Sequence, residues 1–552
     1  MLTAYLCLEL ALNSQIKSYS GGLGILAGDT IKSYADLGLN AVAITLLYKN
    51  GYFKQTIDPI SGKQIELNDE WDYSKYLELT NVRFSLEIEH RIVQVQVWKY
   101  EYTGCKGGKI PVYFLDTNLP ENHFEDQAIC YNLYSKYDYT RLKQEILIGV
   151  GGVKALLALG YGIADKYHLN ESHASFAIPF LQLLSGDVED TKKRIAFTTH
   201  TPLEHGHKKY AIENLKSQLT EMVNGQTLSS VMEQHSDEKS LVNMTKFCLD
   251  TSSYANAVSR KHAEVMHTMF PGKHIDYITN GIHTYTWVSP LMAETFDKYL
   301  VDWRIDPLVL RNALAISDYD IRATHTANKS KLFDLIEARL GKRFTTDKFT
   351  IGFARRVDGY KRQNFVFKDL ARLEAMAAKF GGIQFVFAGK AYPDTAGEDS
   401  TLAEVYKLSQ RTDLNIDVVY IPNYDMDISA AMVAGVDIWL NNPLRPLEAS
   451  GTSGMKATLN GVPNFSVVDG WWVEGLVENE TGWSIGDETS HIGNEDYELN
   501  DLYGKLEHII LPTYYFDTKK WLEIMKQAIA MNASHFSTQR MVLEYMSKAY
   551  FR

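Results

Sequence analysis

Residues 441–475, NNPLRPLEASGTSGMKATLNGVPNFSVVDGWWVEG, hold the densest chemistry in the chain. The preceding IWL reads as a buried strand, and SGMKATLNG as a short helix opened by a turn of small residues. Such a turn presents backbone N–H groups at a helix N-terminus, where unpaired donors and partial positive charge suit a phosphate. Lys456 follows the turn, and its type allows two chemistries. It can clamp a phosphate, or it can hold as a Schiff base an aldehyde cofactor that itself carries a phosphate. Glu448, among small and apolar neighbours, suits the role of acceptor for a neutral, hydroxyl-rich ligand. A plain Gly-rich connection with a surface lysine is the competing reading, because loose glycine matches are common.

FARRVDGYKRQ packs Arg355, Arg356, Lys361 and Arg362 into one short stretch of an acidic protein. At a strand-to-helix turn such a cluster binds phosphate. A charge run is also the ordinary start of a solvated helix, and the residues alone leave both open. In SYSGGLGILAGD, Gly21, Gly22 and Gly24 permit either close approach of the backbone to a ligand or tight packing of the next helix on a sheet. His173, His200, His205 and His207 raise the question of a metal. No HExxH-type spacing and no accompanying thiolate support one, so hydrogen-bonding histidines and no metal are expected. The turns at 21–24 and 452–454 and the cation cluster together exceed what one small phosphate requires. Two phosphates would satisfy them.

The elements that must position these residues follow in chain order. MLTAYLCLELAL reads as a first buried strand; the lack of a basic start and Glu9 inside the apolar run argue against a secretory signal. The glycine turn, a helix and the strand in NAVAITLLY come next. Residues 82–116 alternate apolar and polar, predicting an antiparallel β insertion, and TRLKQEILIGVGGVKALLALG is helical. KYHLNESHASFAIPF and KRIAFTTHTPLEHGH each resemble the C-terminal end of a strand, so a parallel sheet would bring Glu171, His173 and His200 to one cleft. HIDYITNGIHTYTWVSP reads as a last strand and a crossing loop bearing Asn280 and His283. Residues 318–348 are helical, and strands alternate with helices from FTIGFA to NFSVV. The expectation is α/β: two Rossmann-like, doubly wound lobes facing a central cleft. Lobe one spans 1–285 with the β insertion, lobe two 286–525, and a C-terminal helix over 526–552 packs back on lobe one.

A chain of 552 residues, 45% apolar and 22% charged, is an ordinary globular sequence with more than one core. Its net charge of −12 argues against nucleic acid or an anionic membrane as main partner. Cys7, Cys105, Cys130 and Cys248 lie far apart without metal or disulfide-framework spacing, fitting a reducing, cytoplasmic setting. No apolar run approaches the roughly 20 residues needed to span a bilayer.

AYLCLELAL, YSGGLGILAGD, LLYKNGYFKQ, HLNESHASFA, TTHTP, ITNGIHTYTW, FARRVDGYKRQ, NYDMDISAAM, EASGTSGMKATLNG and FSTQRMVLEY together resemble the α-glucan phosphorylases of the glycogen, starch and maltodextrin phosphorylase family, in particular its short bacterial and archaeal branch. EASGTSGMK and YKRQ are the specific motifs; the glycine turn alone is not. The resemblance implies a GT-B fold and retaining phosphorolysis of terminal α-1,4-linked glucose to α-glucose 1-phosphate, with pyridoxal 5′-phosphate as cofactor. By it Lys456 matches the Schiff-base lysine, and Thr452, Ser453 and Lys361 match the receivers of the cofactor phosphate. By the same resemblance Tyr424 matches a tyrosine that lines the cofactor pocket. Arg356 and the Gly22 N–H match the groups that bind substrate phosphate. His200 and Asn280 match groups on the reacting glucose, Glu448, Ser450 and Gly451 those on its hydroxyls, and Glu171 a substrate-side carboxylate.

Those motifs contain no carboxylate pair of the kind a retaining glycosidase uses, about 5–5.5 Å apart. The resemblance implies instead that the cofactor phosphate relays a proton through the substrate phosphate to the leaving oxygen. The chain begins near the first core strand of the family pattern, so regulation through an N-terminal extension is not expected. Glu171 stands where larger members have aspartate, and Asp425 where they have arginine. A homodimer or higher homo-oligomer is compatible with the resemblance. Two other classes stay in play: a nucleotide-sugar-dependent glucan synthase of similar layout, and a catalytically silent glycan-binding protein.

Overall fold

The computed structural model describes residues 1–135, 137–397, 400–488 and 494–551. They divide into two compact units: Met1–Phe53, Asn68–Thr279 and Gln539–Arg552 form one, and Lys54–Leu67 with Asn280–Thr538 the other.

The first unit is built on a nine-stranded sheet. Its strands are β1 (Thr3–Leu6), β2 (Ala41–Leu46), β3 (Glu78–Ile88), β4 (Arg91–Thr103), β5 (Lys109–Asp116), β6 (Lys166–Asn170), β7 (Ile195–Thr198), β8 (Tyr254–Ala257) and β9 (Asp276–Tyr277). The order is β9-β8-β7-β6-β1-β2-β5-β4-β3. All neighbours from β9 through β5 pair in parallel, whereas β4 and β3 add antiparallel at the edge. The alternating stretch 82–116 therefore extends the main sheet, with β5 already one of its parallel strands. Burial on both faces explains why the central strands are apolar throughout. Ala4, Leu6 and Leu8 join one core with Val42 and Ile44, while Tyr5, Cys7 and Leu10 join the opposite core with Ala41 and Ala43. That second core takes in the helix Gly22–Leu37 and the C-terminal Met541, Val542, Tyr545 and Tyr550. Tyr550 Oη bonds His168 Nδ1 at 2.6 Å, and Tyr545 Oη bonds Thr198 Oγ1 at 3.1 Å, so the last residues complete the polar interior of the sheet.

The second unit carries β10 (Phe349–Ala354), β11 (Ile383–Ala388), β12 (Asp417–Ile421), β13 (Ile438–Asn441), β14 (Asn464–Val467) and β15 (Gly482–Ile485). All are parallel, in the order β12-β11-β10-β13-β14-β15. This is the doubly wound order, whose direction reverses between β10 and β13; in the first unit it reverses between β1 and β6. The strand β15 was not expected from the sequence. The helix expected over QNFVFKDLARLEAMAAKF starts only at Leu370, where the Asp369 side chain accepts from the Arg372 N–H and caps Leu370–Phe380.

The chain is partitioned differently from the boundaries at 285 and 525. Lys54–Ile57 and Gln64–Leu67 pair as an antiparallel hairpin that belongs to the second unit. Buried Gln55 accepts from the Asn423 N–H at 2.8 Å and donates to Gly389 O at 2.9 Å, and Gln64 accepts from the Ala391 N–H at 2.9 Å. The helix Thr518–Gln527 and the residues up to 538 also stay in the second unit, so only Gln539–Arg552 joins the first.

Candidate functional site

In the first unit the predicted residues stand at the C-terminal ends of β1, β6 and β7, the side where parallel sheets bind ligands. Glu171 follows β6 with φ +74° and ψ 163°, a conformation otherwise nearly confined to glycine. Its carboxylate holds it there, accepting from the N–H groups of Ser172 (3.0 Å) and His200 (2.7 Å) and from Thr201 Oγ1 (3.3 Å). Burial raises the Glu171 carboxyl, and these donors pull against that. His200 Nε2 bonds Asn170 Oδ1 at 2.6 Å, while the Asn170 amide nitrogen donates to Cys7 Sγ. That orientation puts the proton on Nε2 and leaves Nδ1 as an acceptor. Burial lowers His200 to about 3, so it is a neutral hydrogen-bonding group. Glu171 and His200 are thus brought together. His207 is tied separately to Thr245 Oγ1 (2.9 Å), and among the described residues no group of three or more His, Cys, Asp or Glu is placed to hold a metal.

The glycine turn divides by role. A Cβ on Gly24 would stand 2.7 Å from Glu9 Oε2, and one on Gly28 only 1.7 Å from Ala11 O. These two glycines let the helix Gly22–Leu37 lie directly on the segment after β1. Gly21 and Gly22 face open space.

In the second unit the site straddles the reversal between β10 and β13. Arg355, just after β10, donates from Nη2 to Glu448 Oε2 at 2.7 Å, and the Lys361 ammonium bonds the same oxygen. The surroundings of Glu448 are therefore cationic, not small and apolar as its sequence neighbours suggested. Burial alone would raise its carboxyl, but Arg355 and Lys361 bring it down to about 2. Burial and Arg355 lower Lys361 to about 7 against the pull of Glu448. One imbalance explains both: two buried cations share one carboxylate, and of the two only lysine readily releases a proton. Arg355 Nε and Nη1 are buried without a hydrogen-bond partner among the described residues. The four-cation cluster is not one unit. Arg362, at φ +48°, binds Asn442 O, Pro443 O and Glu498 and is structural. Arg356 stays 41% exposed, with its guanidinium over the Tyr392 ring at 4.5 Å.

Behind Glu448 lies Asp469, which sequence reasoning missed. Its Oδ2 accepts from the Glu448 N–H and its Oδ1 from the Gly470 N–H, each at 2.9 Å. Burial pushes it up to about 7; the Glu448 N–H pulls against that shift and the Glu448 charge adds to it. Gly470, at φ +56°, packs against Ser450 O, so the Asp-Gly turn after β14 props up the 448–450 backbone. That position, a polar residue and glycine directly after an apolar strand, was the available signal. Ser450 Oγ is buried without a partner among the described residues, and a Cβ on Gly451 would meet Glu448 Oε1 at 3.2 Å.

Lys456 is buried on the helix Ser453–Leu459, which starts without a side-chain cap. Its Nζ lies 3.5 Å from the centroid of the Trp287 ring. Asn460 holds this pair, donating to both Trp287 O (2.9 Å) and Lys456 O (3.0 Å). Trp287 and Asn460 were not predicted. Asn280 is buried where the second unit begins, next to Gly281, which lies against the Ser537 backbone. Burial pushes the half-buried Tyr424 phenol up to about 12. Asp425 caps the helix Met426–Gly435 through the Ile428 N–H (2.9 Å), a local structural use for that carboxylate.

A parallel α/β scaffold with a cation-rich, partly unpaired donor set at its strand reversal defines an anion-handling protein. The chain belongs to the carbohydrate phosphorylase family, whose model matches residues 166–503. A model of the starch synthase catalytic domain matches residues 13–280. The maltodextrin phosphorylase of Thermococcus litoralis is 38% identical over 99% of this chain and 70% of its own length. The glycogen phosphorylase of Aquifex aeolicus is 33% identical over 99% and 85%. An uncharacterised protein of Methanocaldococcus jannaschii is 30% identical over 99% of each.

Proposed function

We propose that the protein is an α-glucan phosphorylase, transferring the terminal α-1,4-linked glucose of a maltodextrin, glycogen or starch chain to inorganic phosphate with retention of configuration. The observation that carries this reading is the pairing of Arg355 and Lys361 on Glu448, with buried Lys456 on the next helix, in a chain of the phosphorylase family.

The donor set fits pyridoxal 5′-phosphate. Lys456, whose Nζ lies over the Trp287 ring, would tether the aldehyde, and Tyr424 would line its pocket. The uncapped N–H groups at Thr452 and Ser453 and the Lys361 ammonium would hold the phosphate. Two cations on one carboxylate, with two Arg355 nitrogens unpaired, are the charge state an added anion relieves. When bound, the cofactor supplies a phosphate group able to exchange a proton with the substrate phosphate.

Arg356, the more exposed arginine, and the Gly22 N–H would bind the substrate phosphate. Neutral His200 and Asn280 would hydrogen-bond the reacting glucose, and Glu448, Ser450 and Gly451 would hold its hydroxyls, with Ser450 Oγ awaiting such a partner. The glycosidic C1–O bond breaks, its oxygen takes a proton, and a phosphate oxygen bonds C1 from the same face. Glu448 is ill suited to serve as a nucleophile, because Arg355 and Lys361 neutralise it; both Asp469 oxygens are taken by backbone N–H groups. Glu171 would act on substrate only through the loop it holds. This reading keeps the expectation of two Rossmann-like lobes of the GT-B type, a cytoplasmic setting, and assembly as a homo-oligomer.

The starch synthase match over 13–280 favours one alternative, a nucleotide-sugar glucan synthase. Lys456 speaks against it. The deciding experiment measures glucose 1-phosphate release from maltose, longer maltodextrins and glycogen, with cofactor content determined on the same sample. Strictly phosphate-dependent release is expected; turnover of UDP- or ADP-glucose without phosphate would favour the synthase.

A further inference from the structure

Glu9 is the one charge inside the apolar run that opens the chain, and it lies outside the set of residues that would touch cofactor or substrate. It is 2% exposed, just beyond β1 at the sheet reversal of the first unit. Its Oε2 accepts from the Ser20 N–H (2.6 Å), the Ser20 hydroxyl (3.1 Å) and the Gly21 N–H (3.2 Å), and its Oε1 from the Tyr134 hydroxyl (2.6 Å). An ionised carboxylate offers about four lone-pair sites and no donor, so these donors saturate it. No other side chain of this size matches such a set. The turn is moulded on the carboxylate, because a Cβ on Gly24 would strike Oε2.

The consequence falls on the next amide. Gly21 and Gly22 have no side chain to restrain them, and a pair of glycines is the most mobile backbone a chain contains. Glu9 fixes the peptide unit before Gly21. The unit after it is fixed by Gly21 O, which accepts from the Ile25 N–H at 3.1 Å. In a planar trans peptide the N–H is antiparallel to the C=O. Because Gly21 O points into the helix, the Gly22 N–H points out of its N-terminus, where the first turn has no carbonyl to receive it. Glu9 and Ile25 thus hold the glycine pair from both sides and leave one donor aimed outward.

We propose that Glu9 is a positioning residue for phosphate. It never touches the substrate, but it pre-orients the Gly22 N–H and so removes the ordering cost that a free glycine pair would impose on binding. The proposal rests on the reading of Gly22 as a phosphate donor.

The test compares Glu9→Ala, Glu9→Gln and Tyr134→Phe with the wild-type enzyme, measuring KM for phosphate, KM for maltodextrin, kcat, and hydrogen exchange of the segment 18–26. Glu9→Ala is expected to raise phosphate KM about 10- to 100-fold, the scale of a misplaced binding group. Glucan KM should change less than about twofold, and exchange should rise in 18–26 alone. Glu9→Gln keeps one oxygen for the turn but loses part of the acceptor set, so it should show a smaller rise of about two- to fivefold, which keeps the proposal testable if the alanine variant fails to fold. Tyr134→Phe should have the smallest effect. Equal changes in both KM values, or unaltered phosphate KM in Glu9→Ala and Glu9→Gln, would overturn the proposal while leaving the phosphorylase reading intact. Wild-type turnover that ignores phosphate would sink that reading and the proposal together.

Discussion

Glu9, buried, and Glu448, about one-eighth exposed, are carboxylates at the reversal point of a parallel sheet, and they are held by opposite means. Glu9 is surrounded by neutral donors, two of them backbone N–H groups; Glu448 faces the ammonium of Lys361 and the guanidinium of Arg355. The first arrangement fixes the shape of a turn. The second fixes a charge balance, and that balance is what a bound anion changes. Because Lys361 is lowered to about 7, that balance responds to pH near neutrality.

The largest effect that would sharpen this contrast is expected at Lys456, on the charged side. Lys456→Ala should lose about 10³-fold or more in glucose 1-phosphate release together with the bound cofactor, on the scale of removing a preorganised charge from a reaction centre. Next come the two glutamates. Glu448→Ala leaves two buried cations unopposed and should cost about 3–5 kcal/mol of stability. Glu9→Ala leaves neutral donors without a partner and should cost about 1–3 kcal/mol. Urea unfolding of both variants checks the order, and equal costs would break the comparison.

A third expectation concerns Arg356, which is 41% exposed. Arg356→Ala should change stability by no more than about 0.5 kcal/mol. It should nonetheless weaken use of phosphate or arsenate by roughly tenfold or more, against little change in glucan binding. The smallest effect is the pH slope. Lys361 titrates at about 7 in the folded chain against 10.5 ordinarily. Its charged form is therefore disfavoured by folding: it weakens the fold below about 7, and the penalty fades as pH rises towards 10.5. Anion binding needs the charged form. Sulfate, a dianion throughout this range, should bind the cofactor-free protein up to about tenfold more weakly per pH unit above 7, and Lys361→Met should remove the slope.

The sequence displayed the parallel strands because burial on both faces forces apolar runs such as FTIGFA and IQFVFA. It hid β15, since GWSI is too short to show a pattern. It also hid which unit owns Lys54–Leu67, because Gln55 and Gln64 bond partners more than 300 residues away. The site was legible as motifs and much less so as an environment. Glu448 looked apolar because its cationic partners lie 93 and 87 residues earlier in the chain. Asp469, Trp287 and Asn460 act on other residues' backbone or packing, which no local spacing records. The GGLG turn left two roles open, and the structure divides them, with Gly24 packing the helix and Gly22 left in the open.

The central claim is that Lys456 carries the cofactor whose phosphate the Lys361 side of the site receives. Borohydride reduction of the purified enzyme followed by peptide mass mapping tests it most directly. A reduced pyridoxyl group on Lys456 is the predicted result; a label on another lysine, or none on a fully folded and active sample, would contradict the account.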